Sequence, residues 1–162
     1  ADIMLPNITE AAMMAGVPYR ETLDEDYVND LLQKLDHPCV VLTGVSYEEG
    51  KTGVLVKNGE SLFHYSHAKL GKSYHGTGDM FAACFTGALM QEKTIAEAIK
   101  IAADFTCRCI AITAENPVHW YGVRFENALP ELIRILDYQL LILLMVSSEF
   151  RLFVRLSKMS SS

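Results

Sequence analysis

The sequence predicts an α/β fold, a mainly parallel sheet flanked by helices, and two observations carry that prediction. Segments with apolar residues at helical spacing alternate with short apolar runs rich in β-branched residues. Runs of that second kind, with no polar alternation, belong to strands buried on both faces, as when helices cover both sides of a sheet. The chain has 162 residues, the size of one domain. Its composition, 50% apolar and 21% charged, is that of a globular chain with a real core.

The elements follow in order. Residues 1–5 read as the end of a strand, leading through Pro6 into a helix. That helix runs from Asn7 to Gly16, with Asn7 or Thr9 as cap and Gly16 as stop. From Asp24 to Asp36, Val28, Leu31, Leu32 and Leu35 form one helical stripe. Cys39 to Thr43 is a buried strand. Gly53–Lys57 and Ser61–Ser66 are two more, joined by Asn58-Gly59, a hairpin dipeptide. Helical spacing returns over Thr77–Gln91 and Thr94–Ala114, and again over Phe125–Leu136, with Pro130 in the first turn. After Asp137 the chain turns Leu-rich and tapers into serine. Residues 1–136 are thus expected to form the main fold, and 137–162 a tail of unassigned structure.

Several function classes are excluded on composition. A net charge of -6 argues against a nucleic-acid binder, which needs a basic face for phosphates. The run Leu140–Val146 is far short of the ~20 residues that span a bilayer, and residues 1–5 lack a basic lead and long apolar core. The four cysteines form no C-x-x-C pair and sit among apolar residues, which points to reduced, buried thiols in a cytoplasmic protein. His64, His67 and His75 cluster in sequence, without a cysteine or carboxylate at ligand spacing.

Three short stretches carry chemistry. Gly76-Thr77-Gly78-Asp79 runs straight into an apolar helix. Its glycines let backbone N–H groups approach a ligand closely, and the unpaired N–H groups of the helix start add positive potential. That is an anion hole. An aspartate there is suited to taking a proton from a substrate hydroxyl during phosphoryl transfer, or to capping the helix. Asn7-Ile8-Thr9-Glu10 offers an amide and a carboxylate suited to water-mediated Mg²⁺, and equally to a capping box. Thr43-Gly44 ends a buried strand and offers a hydroxyl and bare N–H groups to phosphate.

Taken together in this order, the three stretches resemble the ribokinase-like superfamily, and within it the pyridoxal and pyridoxamine kinases. The segment from Ala114 to Glu126 is similar to the same group, and the resemblance runs from Ala1 to about Leu136. It implies a Rossmann-like fold of which this chain is the C-terminal, nucleotide-binding half, since such kinases are nearly twice this length. It implies that Asp79 is the catalytic base and that Gly76, Thr77 and Gly78 form the anion hole. Thr43, Gly44, Thr77 and Gly78 would contact ATP, and Glu10 would hold Mg²⁺ through water, with Asn7 as a further candidate. ATP and Mg²⁺ are the implied cofactors, and a monovalent cation remains a third candidate. The loop from Ser66 to Tyr74 would lie over the nucleotide, with Lys69 and Lys72 in reach of phosphate, while Trp120 and Tyr121 read as packing or subunit contacts. The implied reaction phosphorylates the hydroxymethyl group of pyridoxal, pyridoxamine or pyridoxine. Hydroxymethylpyrimidine kinase and a truncated, non-catalytic nucleotide-binding fragment are the alternatives. A homodimer is expected, because a half-sheet exposes a strand edge and an apolar face.

Overall fold

The computed structural model describes residues 1–70, 74–115 and 122–136. Lys72, Trp120, Tyr121, the Leu140–Val146 run and the tail 137–162 lie outside them. The order is α1 (Ile8–Ala15), α2 (Glu25–Lys34), β1 (Cys39–Val45), β2 (Lys51–Asn58), β3 (Ser61–Ala68), α3 (Thr77–Met90) and α4 (Ile95–Ala114). Residues 129–136 are also helical, four residues later than the apolar pattern suggested, with Pro130 in the first turn as expected.

Local chemistry explains the helix ends. At α1, Asn7 Oδ1 accepts from the Glu10 N–H and Glu10 Oε2 accepts from the Asn7 N–H, both at 2.9 Å, a complete capping box. Gly16 closes α1 with φ 65°, where a side chain would be strained. Asp24 caps α2 through the Tyr27 N–H at 2.7 Å, and Thr94 with Glu97 boxes the start of α4.

Three layers result. Val40, Leu42 and Leu55 face α1 and α2, where Ala11, Ala12, Val28 and Leu31 are almost fully buried. Val41, Val54 and Val56 point the other way, onto Phe81, Phe85, Ile99 and Ala102 of α3 and α4. The alternation of Val40, Val41 and Leu42 between two apolar clusters is the physical reason that β1 reads as an unbroken apolar run. The sheet flanked by helices is the predicted class.

The sense of pairing differs from the expected mainly parallel sheet. Both described ladders, β1–β2 and β2–β3, are antiparallel, in the order β1-β2-β3. Among the described residues, parallel pairing is confined to Met4 with Val40 and Asn7 with Thr43, along the first residues of the chain. The reason is connection length. Parallel neighbours need a crossover of roughly a dozen residues or more, and β1, β2 and β3 follow one another without an intervening helix. The strip around Met4, separated from β1 by α1 and α2, has that crossover.

Gly53 in β2 is required by the pairing itself. A Cβ placed there would stand 2.1 Å from the Tyr65 carbonyl oxygen and 3.0 Å from the Ser66 Cα, both backbone atoms of β3. Gly53→Ala should therefore push β3 off β2 and cost about 1–3 kcal/mol, the usual range for overpacking. Urea unfolding checks this, and an unchanged midpoint would mean that β3 yields without cost.

Candidate functional site

The strand ends and the start of α3 meet at one cleft of about 380 Å³. Asn7, Thr43, Gly44, Thr77 and Gly78, from three separate stretches, all line it. Its wall continues along one face of α4 through Thr106 and Cys107, with Gly53 and His67 from the hairpin opposite.

Gly76 occupies the N-cap of α3 with φ 84°, so it turns the chain as only glycine does comfortably, and it has no side chain to give to the first-turn N–H groups. The Thr77 hydroxyl donates to the Tyr74 carbonyl at 3.1 Å, which ties the loop to the helix start. On β1, Gly44 has φ 78° and sits where the register with β2 shifts between Thr43 and Val45. Such a bulge re-aims the strand end. The Thr43 hydroxyl points to the Pro6 carbonyl at 3.4 Å, drawing the strip before α1 against the end of β1.

Asp79 lies in the first turn of α3, exposed to solvent, one residue beyond the cleft lining. Glu10 is not in the cleft. It borders a shallow depression with Met4, Leu5, Pro6, Met13 and Met14, and one of its oxygens serves the capping box. The capping reading of Asn7 and Glu10 is thus realised, and Asn7 alone of the pair reaches the cleft wall.

Reading of the sequence passed over the far wall. Cys107 Sγ is 3.2 Å from His67 Nδ1. Burial, with a smaller contribution from the Asp104 carboxylate, pushes the Cys107 thiol up from its ordinary range, so it carries its proton at neutral pH. Tyr65 donates to Asp104 Oδ1 at 2.7 Å and Lys100 pairs with the same carboxylate, which ties β3 to α4. Burial and that hydrogen bond push the Tyr65 hydroxyl up to about 12. Cys39, Cys84 and Cys109 are buried as expected, whereas Cys107 is the described cysteine that faces the cleft. His64 lies edge-on to Tyr47 while His67 turns to Cys107, because residues three apart on a strand face opposite ways. Among the described residues no three His, Cys, Asp or Glu side chains converge as a metal site, and no helix is long and apolar enough to cross a membrane.

An α/β layer whose strand ends and helix N-terminus enclose a glycine-lined cleft is an arrangement of the ribokinase-like kind, with the cleft where such sheets take their ligands. The chain belongs to the phosphomethylpyrimidine kinase family, which matches residues 1–123. It is similar to the hydroxymethylpyrimidine/phosphomethylpyrimidine kinase of Haemophilus influenzae, 28% identical over 116 residues, which are 68% of this chain and 43% of that protein. The fold resembles the pyridoxal kinase of Lactobacillus plantarum at a TM-score of 0.71 and 26% identity, covering 85% of this chain and 51% of that one. It also resembles the Staphylococcus aureus pyridoxal kinase in complex with ADP, at a TM-score of 0.57 and 26% identity, over 68% of this chain and 41% of that one. The chain therefore spans about half the length of the relatives it matches, or less.

Proposed function

We propose that this chain forms the nucleotide side of a kinase that transfers the γ-phosphoryl group of ATP to a hydroxymethyl group on a pyridine ring, as in vitamin B6 salvage. One observation carries the reading. Thr43-Gly44 and Thr77-Gly78, more than thirty residues apart in sequence, line the same cleft at a helix start that has no side-chain cap. In this reading Asp79 takes the proton of the acceptor hydroxyl as its oxygen bonds to phosphorus. The bond from phosphorus to the bridging oxygen of ADP breaks, and the N–H groups of Gly76 to Asp79 stabilise the charge on the moving phosphoryl group.

Mg²⁺ suits the oxygen donors here only as an ion held mostly by water and phosphate. Asn7 is the candidate that lines the cleft, and its amide oxygen already accepts the Glu10 N–H, whereas Glu10 borders a separate depression and would reach such an ion only through water. Mg²⁺ would neutralise charge on the phosphates.

A second reading, phosphorylation of a hydroxymethylpyrimidine, is favoured by the family match and by the curated relative from Haemophilus. We further propose a cytoplasmic homodimer. Met13, Met14 and Leu62 are all more than half exposed, and a single monomer peak in sedimentation at micromolar concentration would count against self-association.

Calorimetry with MgATP, followed by pyridoxal and then hydroxymethylpyrimidine, tests the reading. MgATP binding without binding of either ring is the expected result for a nucleotide side alone. A folded chain that ignores MgATP would leave the non-catalytic fragment as the better account.

A further inference from the structure

The histidines clustered in sequence have no cysteine at ligand spacing, but the fold brings one to His67 from 40 residues away. On the far wall of the cleft, Cys107 of α4 and His67 of β3 stand side by side, both half-buried, with Sγ 3.2 Å from Nδ1. His67 Nδ1 is also 3.0 Å from the Ala68 carbonyl oxygen. We propose that this pair is an open binding site for a thiophilic divalent cation of the zinc class.

The spacing is that of atoms arranged about one ion. Zinc binds a thiolate at about 2.3 Å and an imidazole nitrogen at about 2.0 Å, so in a tetrahedral shell the two ligand atoms lie roughly 3.5 Å apart. Sγ and Nδ1 already stand close to that separation. A single hydrogen on Nδ1 can be directed at only one of its two neighbours, sulfur or carbonyl oxygen, whereas a cation draws on all three atoms at once. Sulfur and imidazole nitrogen are also the donors that suit zinc, while Mg²⁺ prefers oxygen, so this site is chemically distinct from any Mg²⁺ position beside phosphates.

The surroundings hold the two ligands without competing for the ion. Asp104, one turn before Cys107 on the same face of α4, accepts the Tyr65 hydroxyl at 2.7 Å and pairs with Lys100. That carboxylate is occupied in tying β3 to α4 two residues from His67, so it sets the distance between the ligands and does not join them. The Thr106 hydroxyl is likewise engaged, donating to the Ala102 carbonyl at 2.7 Å. Two side chains fall short of the four that close a structural zinc site, and the remaining positions open to the cleft and fall to water. On binding, the sulfur–hydrogen bond breaks, the sulfur–metal bond forms and the thiol proton leaves to solvent.

The test is calorimetry of the reduced, chelator-treated full chain with Zn²⁺ alone, comparing the unmodified chain with Cys107→Ser, His67→Gln and His64→Gln, each checked for an unchanged melting curve. His64 is the control, since it turns to Tyr47 on the other side of β3. One equivalent of zinc should bind the unmodified chain. Cys107→Ser and His67→Gln should each weaken it by about 10–100-fold or more, since changing a group that only supports a metal ligand already costs that much. His64→Gln should bind as the unmodified chain does. Co²⁺ gives a second reading that does not depend on how any variant folds: the unmodified chain should show the intense thiolate-to-cobalt absorption band. Absence of that band, zinc binding that survives either ligand substitution, equal weakening by His64→Gln, or a folded unmodified chain that ignores zinc would each overturn the proposal. MgATP takes no part in this experiment, so failure of the nucleotide reading would leave its result unchanged.

Discussion

Asp79→Asn is expected to lower the rate of phosphoryl transfer by roughly 10²–10⁴-fold, the usual contribution of a positioned general base, with little change in nucleotide affinity. Asn keeps the shape and removes only the proton-accepting charge. The assay belongs wherever turnover is measurable, in this chain or in a longer protein that contains it. The two roles open to Asp79 separate cleanly. It stands in the first turn of α3, exposed, where an acidic side chain favours the helix end by about 0.3–1 kcal/mol. If that were its whole contribution, Asn would lower the melting temperature slightly and leave turnover alone. Single-turnover kinetics beside a melting curve therefore decides the matter. A collapsed rate with a near-normal melt supports the base, and the reverse removes Asp79 from the chemistry.

Much of this architecture was legible because local and tertiary signals agree. The stripe of Val28, Leu31 and Leu32 predicts α2 and its buried face, and Asn58-Gly59 predicts the β2–β3 hairpin, both as observed. The antiparallel sense of β1 and β2 was missed because apolar runs report burial and not direction. The link held the answer, since the five residues between β1 and β2 are too few for a parallel crossover. At the site, Thr43, Gly44, Thr77 and Gly78, singled out at strand and helix ends, line one space. The α4 wall was harder to see. Ala103, Thr106, Cys107 and Ile110 follow helical spacing, and that pattern marks a core face as readily as a ligand face. Glu10 shows the opposite failure. Its spacing from Asn7 fits a metal motif and a capping box alike, and the capping bonds are formed.

The second large effect expected is at Gly78, where function and stability should move in opposite directions. A Cβ built on Gly78 meets nothing within 4 Å, and the residue lies inside the first turn of α3. The fold therefore has no use for glycine there. Alanine is the better helix former by up to ~1 kcal/mol and also restricts the unfolded chain. Gly78→Ala should hold or raise the melting temperature, by roughly 2–4 °C for each kcal/mol gained in a domain of this size. The same methyl group would project into the space where a phosphate must come within hydrogen-bonding distance of the helix N–H groups, so MgATP affinity should fall by about ten-fold or more, the loss of at least one charge-assisted hydrogen bond. Gly76 cannot serve this purpose, since its φ of 84° makes any side chain strained and a loss of binding there would only report misfolding. Nor can Gly53, where the added carbon collides with β3. Gly78 is a cleft-lining position at which nothing in the fold requires glycine. A Gly78→Ala chain that melts higher and binds MgATP as before would mean that the start of α3 is not the anion hole, and the nucleotide would have to lie along the α4 wall alone.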